Sequence, residues 1–235
     1  MLLSKEKSLS NATQEYQNLS KLKEVWNNID KYSCPFNYNF HLHTICSDGQ
    51  LTPESLIEQA IQIGLQGLAI TDHHSIDGFF RALTWMKQKQ ETNPDIILPS
   101  LWTGIEITSE LNNTNVHILG YGFNPRSRGM EKYLTGDKPE GYYGQAKQVI
   151  NCLHDAGALV VLAHPARYRR PAIDLITEIY ELGIDGVETY YAYGNPQPWQ
   201  ASEKQTNLVA SMAQKYNLYS TCGTDTHGNN ILVRL

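Results

Sequence analysis

Phe36-Asn37-Tyr38-Asn39-Phe40-His41-Leu42-His43 alternates with a period of two, the repeat of an extended strand. Phe36, Tyr38, Phe40 and Leu42 fall on one face, and Asn37, Asn39, His41 and His43 on the other. In a parallel barrel the apolar face is expected to meet outer helices, and the histidine face to line the interior near the mouth. Strand-like runs follow at 67–71, 101–107, 115–121, 159–163, 186–190 and 218–222, mostly separated by stretches of helical periodicity. Seven strands in βα order predict an α/β chain, either a barrel or a doubly wound sheet.

The expected helices occupy 53–63, 78–90, 145–156, 171–182 and 201–216. Thr52-Pro53-Glu54 supplies an N-cap and a proline at the first helical position, and Gly64 a stop. Between Glu106 and His117 there is no room for a helix, and Asn112-Asn113 reads as a turn, so a hairpin is expected to make the barrel irregular. Segment 122–144 mixes proline, glycine and charge and reads as a loop over the site. Ahead of the first strand, Tyr16, Leu19, Leu22, Val25, Trp26 and Ile29 recur at helical spacing. They predict one amphipathic helix packed on the barrel, preceded by a polar, frayed stretch over residues 1–12. The expected division is 1–35 for tail and helix and 36–235 for one main domain.

A chain of 235 residues fits a single domain with a large α/β core. Its net charge of −5 and pI near 5.9 argue against a surface that grips duplex nucleic acid, which demands a basic face. A nucleic-acid end can still enter a small site. The four cysteines, Cys34, Cys46, Cys152 and Cys222, show no paired spacing, which points to a reducing cytoplasm. Met1-Leu2-Leu3 runs directly into Lys5, Glu6 and Lys7, so no signal peptide is expected, and no run reaches membrane-spanning length.

The chemistry lies where the strands end. His41-Leu42-His43 with Asp48, Thr71-Asp72-His73-His74, Gly104-Ile105-Glu106, Val116-His117, Ala163-His164-Pro165 and Gly223-Thr224-Asp225-Thr226-His227 each close a strand-like run. In βα barrels those ends converge on one rim, where functional residues gather. The six imidazoles of His41, His43, His73, His117, His164 and His227 and the carboxylates of Asp48, Glu106 and Asp225 exceed what one ion takes. The set predicts two or three divalent cations, with Mn, Fe and Zn all suited to mixed imidazole and carboxylate donors.

These motifs resemble the PHP (polymerase and histidinol phosphatase) superfamily. The resemblance spans residues 36–228 through His-Leu-His-Thr-Ile-Cys-Ser-Asp-Gly, Thr-Asp-His-His, Gly-Ile-Glu-Ile-Thr, Val-His-Ile-Leu-Gly-Tyr, Leu-Ala-His-Pro-Ala-Arg-Tyr and Gly-Thr-Asp-Thr-His-Gly. It is similar in particular to the TrpH-like branch, which includes nucleoside 3′,5′-bisphosphate phosphatases and a 5′-end exoribonuclease. The resemblance implies a distorted seven-stranded (β/α)7 TIM-like barrel, the PHP fold, with an extra N-terminal helix and up to three metals in its mouth. Carried over by position, His41, His43, Glu106 and Asp225 hold one metal, Glu106, His117 and His164 a second, and Asp48, His73 and His227 a third. Two cations about 3.5–4 Å apart lower the pKa of a shared water, so that hydroxide attacks phosphorus in line and no side-chain nucleophile is needed.

Arg167, three residues after His164, is a candidate phosphate clamp, against the plainer reading of a surface arginine beside Arg169 and Arg170. His74 is a candidate donor to the leaving group, or else a partner that orients His73. Asp72 is expected to be structural, Cys46 a packed thiol, and Tyr190, Tyr191 and Tyr193 packing residues with base stacking as the alternative. Glu188 reads equally as a carboxylate behind a ligand or as a charge facing a helix. His154 is read as a partner of a helix C-terminus.

The expected activity is a cytoplasmic metal-dependent phosphoesterase acting on a phosphomonoester of a small molecule, a nucleotide or an RNA 5′ end. A histidinol-phosphate phosphatase, a non-catalytic metal-binding PHP module docked on a partner protein, and an amidohydrolase-like barrel are the rival readings. TrpH-like proteins carry a helical insertion between the Val-His and Ala-His-Pro strands that this chain lacks, so nucleotide contacts from it do not transfer. Seven residues follow Gly228, and the N-terminal helix is expected to stand in for a final helix.

Overall fold

The computed structural model describes residues 16–235, so the frayed stretch expected over 1–12 lies outside the described residues. Helix α1 (Leu19–Trp26) precedes β1 (Tyr38–Asn39), α2 (Pro53–Gln62), β2 (Gly67–Ala69), α3 (Asp77–Thr92) and β3 (Ser100–Trp102). Then come β4 (Gly104–Leu111), β5 (Thr114–Tyr121), the short α4 (Gly141–Gly144), α5 (Ala146–Asp155), β6 (Leu159–Leu162), α6 (Ala172–Tyr180), β7 (Gly186–Tyr190), α7 (Glu203–Tyr216) and β8 (Tyr219–Cys222). Local chemistry explains the boundaries. Thr52 Oγ1 accepts the Ser55 N–H at 3.1 Å and Pro53 opens α2, while Gly64 takes the left-handed conformation that ends it.

The strands form a parallel sheet of three, β1-β2-β3, and a sheet of five, β4-β5-β6-β7-β8. In the second, β4/β5 and β5/β6 are antiparallel and the remaining pairs parallel. Asn112 and Asn113 both have positive φ, 47° and 62°, which closes the β4–β5 hairpin with the twist that two-residue loops favour. Isolated bridges Leu42↔Thr226 and His73↔Glu106 tie the two sheets together at the end where the motifs lie.

The expected seven-stranded barrel is therefore corrected to eight strands in two sheets. One predicted strand, 101–107, breaks at Thr103. Its N–H donates to Tyr16 O and its Oγ1 to Phe123 O at 2.9 Å, so the chain turns between the sheets. Gly104 permits the turn, since a Cβ there would lie 2.5 Å from Ile70 O.

Two apolar layers flank the strands. The outer one packs Leu56, Ile57, Phe79, Val149, Leu153, Leu175, Ile176 and Val209 of the helices against Leu68, Ile70, Ile105, Ile118, Leu162 and Val187 of the strands. The inner one joins Leu22 and Trp26 of α1 to Phe40, Ala69, Trp102, Leu119, Tyr121, Val161 and Cys222. The expectation that Phe36, Tyr38, Phe40 and Leu42 share an outward face fails. The β1 ladder stops at Asn39, Phe40 joins the inner layer, Leu42 joins the outer one, and Phe36 is 57% exposed. Phe40 and His41 thus leave the strict alternation, because Phe40 N–H bonds Cys222 O on β8 while Asn39 is turned to Thr224 and Ile231 O. Among the described residues no helix is long and apolar enough to cross a membrane.

Candidate metal centre

His41 and His43 follow β1, Glu106 lies within β4, and Asp225 follows β8; all four are at most 1% exposed. Their ligand-capable atoms lie within 4.8 Å of one another. Glu106 is the hub. Its Oε2 is 3.0 Å from His41 Nε2, 3.0 Å from His43 Nε2 and 3.5 Å from His73 Nε2, while its Oε1 is 2.8 Å from His117 Nδ1 and 3.3 Å from His164 Nε2. A second group joins His73, Glu106 and His117, and a third joins His43, Asp48, His73 and His227. In the third, His227 Nε2 stands 3.1 Å from Asp48 Oδ2, and Asp48 is 52% exposed. This outer group opens on a cavity of about 460 Å³ that also involves Cys46, His74, Thr108 and Gly136.

All nine residues named from the motifs are brought together. The grouping differs in detail from the one implied by resemblance: His73 adds to the Glu106 and His117 set, His43 adds to the Asp48 set, and His164 stands outside the three groups, with its Nε2 3.3 Å from Glu106 Oε1.

The backbone is strained where these side chains are aimed. His74, His164 and Asp225 have positive φ of 52°, 28° and 54°. Such conformations cost about 1–3 kcal/mol each outside glycine and persist where the surroundings enforce them. Gly223 allows the approach of β8, since a Cβ there would meet His41 Cβ at 2.2 Å.

A second ring of side chains holds the donors. Glu188 Oε1 pairs with His41 Nδ1 at 2.9 Å, and its Oε2 accepts the His164 N–H at 2.8 Å, so Glu188 faces inward. That leaves His41 Nε2 toward Glu106. Asp72 Oδ1 accepts the Thr44 N–H at 2.7 Å and the Ser47 hydroxyl at 2.8 Å, anchoring the loop that carries Asp48. The Tyr168 hydroxyl accepts the His117 N–H at 2.7 Å.

The donor set fits divalent cations on an observation of its own. His43 Nε2 lies 3.2 Å from Asp225 Oδ1 and 3.0 Å from Glu106 Oε2, yet both ring nitrogens of His43 and of His164 are buried without a hydrogen bond among the described residues. Nitrogens and oxygens that converge without proton-sharing geometry are arranged for a shared cation, and imidazole with carboxylate is the donor set of Mn, Fe and Zn. Electrostatics agrees. Burial alone would raise Glu106 and Asp225, but His41 and the imidazoles around them hold both carboxyls well below the usual range. Burial would lower His43, but Asp225 and Glu106 outweigh it and push it up to about 9. His73 and His74, where burial wins, fall to about 4.

The remaining candidates divide. Arg167 reaches the centre, its Nη1 donating to Asp225 Oδ2 at 2.7 Å. His74 is buried beside His73, with Nε2 3.4 Å from Thr108 Oγ1. Cys46 is half-buried and accepts from Arg81 Nη1. Tyr191 and Tyr193 spend their hydroxyls on Asp225 and on the Ala166 N–H. His154 sits in the last turn of α5 and meets Asp185 at 2.9 Å. Tyr168 closes the Leu-Ala-His-Pro-Ala-Arg-Tyr motif but carries no expected role there, and no motif points to Arg234, whose Nε donates to Asp225 Oδ2 at 2.8 Å.

A family model described as the PHP domain matches residues 39–223. The chain belongs to the PHP family. The 5′-3′ exoribonuclease Rnm of Escherichia coli K12 is similar to this PHP chain at 25% identity over 262 aligned positions, covering 81% of this chain and 85% of that protein. A 3′,5′-nucleoside bisphosphate phosphatase of Chromobacterium violaceum is 24% identical, covering 81% and 87%. The 262 positions exceed the 235 residues here, so the exoribonuclease carries segments that this PHP chain lacks. A Chromobacterium violaceum structure described as an amidohydrolase with bound sulfate and no metal shares the PHP chain's fold, with a TM-score of 0.68 at 20% identity over 85% of this chain and 90% of that one.

Proposed function

We propose that this PHP protein is a metal-dependent phosphoesterase that hydrolyses a phosphomonoester on a nucleotide or at an RNA 5′ end. The similar proteins named as an exoribonuclease and a bisphosphate phosphatase are both hydrolases of phosphoester bonds, and that reaction class is the one this site suits. The division of Glu106 between two sets of imidazoles carries the reading, because a carboxylate so placed would serve two cations, each with imidazoles of its own.

His41, His43, Glu106 and Asp225 would hold one ion, Glu106, His117 and His164 a second, and Asp48, His73 and His227 a third. Two or three Mn, Fe or Zn ions in those places supply Lewis acidity and a water that is nucleophilic at neutral pH. The chain's own residues do the rest. Glu188 and Asp72 keep the donors in position, so little reorganisation is needed when substrate arrives. Arg167, a planar cation at the rim of the centre, takes phosphate oxygens. His74, held neutral by burial, offers an N–H that can hydrogen-bond the leaving oxygen beside the cavity.

The test is phosphate release by Mn²⁺-loaded protein from mononucleotides, 3′,5′-bisphosphates, a short 5′-phosphorylated RNA and histidinol phosphate. Turnover of a nucleotide or the RNA, abolished by chelator, is the expected result. Preference for histidinol phosphate would transfer the assignment to that reaction, and no turnover with metal bound would support a non-catalytic module.

A further inference from the structure

Two arginines share one carboxylate oxygen at this centre. Asp225 Oδ2 accepts from Arg167 Nη1 at 2.7 Å, from Arg234 Nε at 2.8 Å and from the Tyr191 hydroxyl at 2.6 Å. On its other side Asp225 Oδ1 faces His43 at 3.2 Å and His41 at 3.4 Å. A single negative charge is therefore divided between two guanidiniums and the group proposed to hold metal. Arg81 with Glu54 and Arg170 with Glu178 show the ordinary arrangement, one guanidinium spent on one carboxylate. At Asp225 one cation is left over.

The surplus is fixed by the fold of the segment that carries Arg234. Residues 228–235 fold back over the Gly223–His227 turn, with His227 N–H donating to Arg234 O at 2.7 Å and Thr226 Oγ1 to Val233 O at 2.8 Å. Ile231 is fully buried, and its N–H donates to Gln59 Oε1 at 3.0 Å. Arg234 is thus delivered to a fixed place and remains 18% exposed, beside Arg167 at 37%. Each guanidinium carries five N–H donors, and Asp225 Oδ2 with the Tyr191 oxygen can accept only a minority of them. Two like charges against one shared oxygen repel unless an anion joins them, and forked N–H pairs match phosphate oxygens.

We propose that Arg234 joins Arg167 in a two-guanidinium subsite for a phosphate oxyanion of the substrate. The proposal rests on the phosphoester reading above. It names the side of the centre from which the phosphate is gripped: the side of Asp225 Oδ2.

Inorganic phosphate is the probe, titrated calorimetrically into the full-length, Mn²⁺-loaded chain, with bound manganese counted by mass spectrometry. Arg234→Gln is expected to weaken phosphate binding at least tenfold with manganese content unchanged, and Arg234→Lys to recover only part, since an ammonium is a point donor. Unchanged phosphate affinity, or a loss no greater than the loss of manganese, would overturn the subsite and leave Arg234 as a buttress of Asp225. Arg167→Gln, on an exposed side chain, keeps the test open should Arg234→Gln fail to fold, and the same tenfold loss is expected from it. If the wild-type chain binds phosphate through Arg234 and yet hydrolyses no ester, the subsite stands and the phosphoesterase reading falls.

Discussion

The interior has two ends built by the same strands from opposite chemistry. At one, Trp26 meets Tyr121 and Phe40 edge-on, with ring centroids 5.2 and 5.9 Å apart. At the other, Glu106, Asp225 and Glu188 are buried among imidazoles. β5 runs from His117 at the second end to Tyr121 at the first, and the neighbours Phe40 and His41 belong to one end each. The aromatic end needs nothing beyond itself, because burial of rings and their edge-to-face contacts already stabilise it. The charged end is incomplete by the same physics. The imidazoles outweigh the cost of burying Glu106 and Asp225, but both ring nitrogens of His43 and of His164 are left without a hydrogen bond among the described residues. The contrast assigns stability to the aromatic end and the outer layer, which lets the other end keep strained backbone and unbalanced charge.

The sharpest break of that contrast is Glu106→Gln, which keeps the shape and removes the charge at the hub. Hydrolysis is expected to fall on the order of a thousandfold. The metal-free melting temperature should fall near neutral pH, since the imidazoles that hold Glu106 ionised lose their partner. Steady-state rates and thermal melts check both, and activity within tenfold of wild type would remove Glu106 from the centre.

At the opposite end Trp26→Ala should act on stability alone. A cost of about 3–5 kcal/mol is expected from denaturant unfolding, with the turnover number of the folded protein unchanged. Trp26→Phe should cost less, because the indole Nε1 has no hydrogen-bond partner among the described residues. Loss of turnover in folded Trp26→Ala would show that the two ends are coupled.

The smallest effect is on pH dependence and sharpens the comparison. His43, raised to about 9 by Asp225 and Glu106 against the opposing pull of burial, binds its proton more tightly folded than unfolded. That contribution is fully present below about 6.5 and lost as pH rises through about 9. His73, lowered to about 4 chiefly by burial, works the other way and withdraws stability as pH falls from about 6.5 toward 4. Metal-free protein should therefore melt highest near pH 6.5, whereas Mn²⁺-loaded protein should lose the alkaline decline because the ions take the proton's place. Matched melts at pH 5, 6.5 and 9 read it, and identical profiles with and without Mn²⁺ would deny the charged end its dependence on cations.

Much of this was legible in the chain because its signals are local. An imidazole or carboxylate closing a run of β-formers reports its own position on a strand end, though Glu106 and His117, expected at such ends, lie inside β4 and β5; Asn112-Asn113 reports a tight turn wherever it occurs. The break at Thr103 was not legible. Both sides of it favour strand, and the turn is imposed by Tyr16 O and Phe123 O, which come from distant parts of the chain. Phe40 misled for a related reason: its alternation with Leu42 is real in sequence, but the partner strand β8 interrupts it. Arg234 gave no signal because it meets Asp225 only after the segment between them folds back on itself.

The sequence by itself determined the βα order, the capping of α2, the hairpin and the nine candidate donors with their chemistry, since periodicity, caps and ligand type are properties of residues and near neighbours. Only the tertiary structure decided that the strands divide three and five, that Glu106 faces both sets of imidazoles, that Glu188 turns inward to His41, and that Arg167 and Arg234 converge on one oxygen of Asp225. Those outcomes depend on where separate elements meet, and that is set by packing of the whole chain, which no local pattern records.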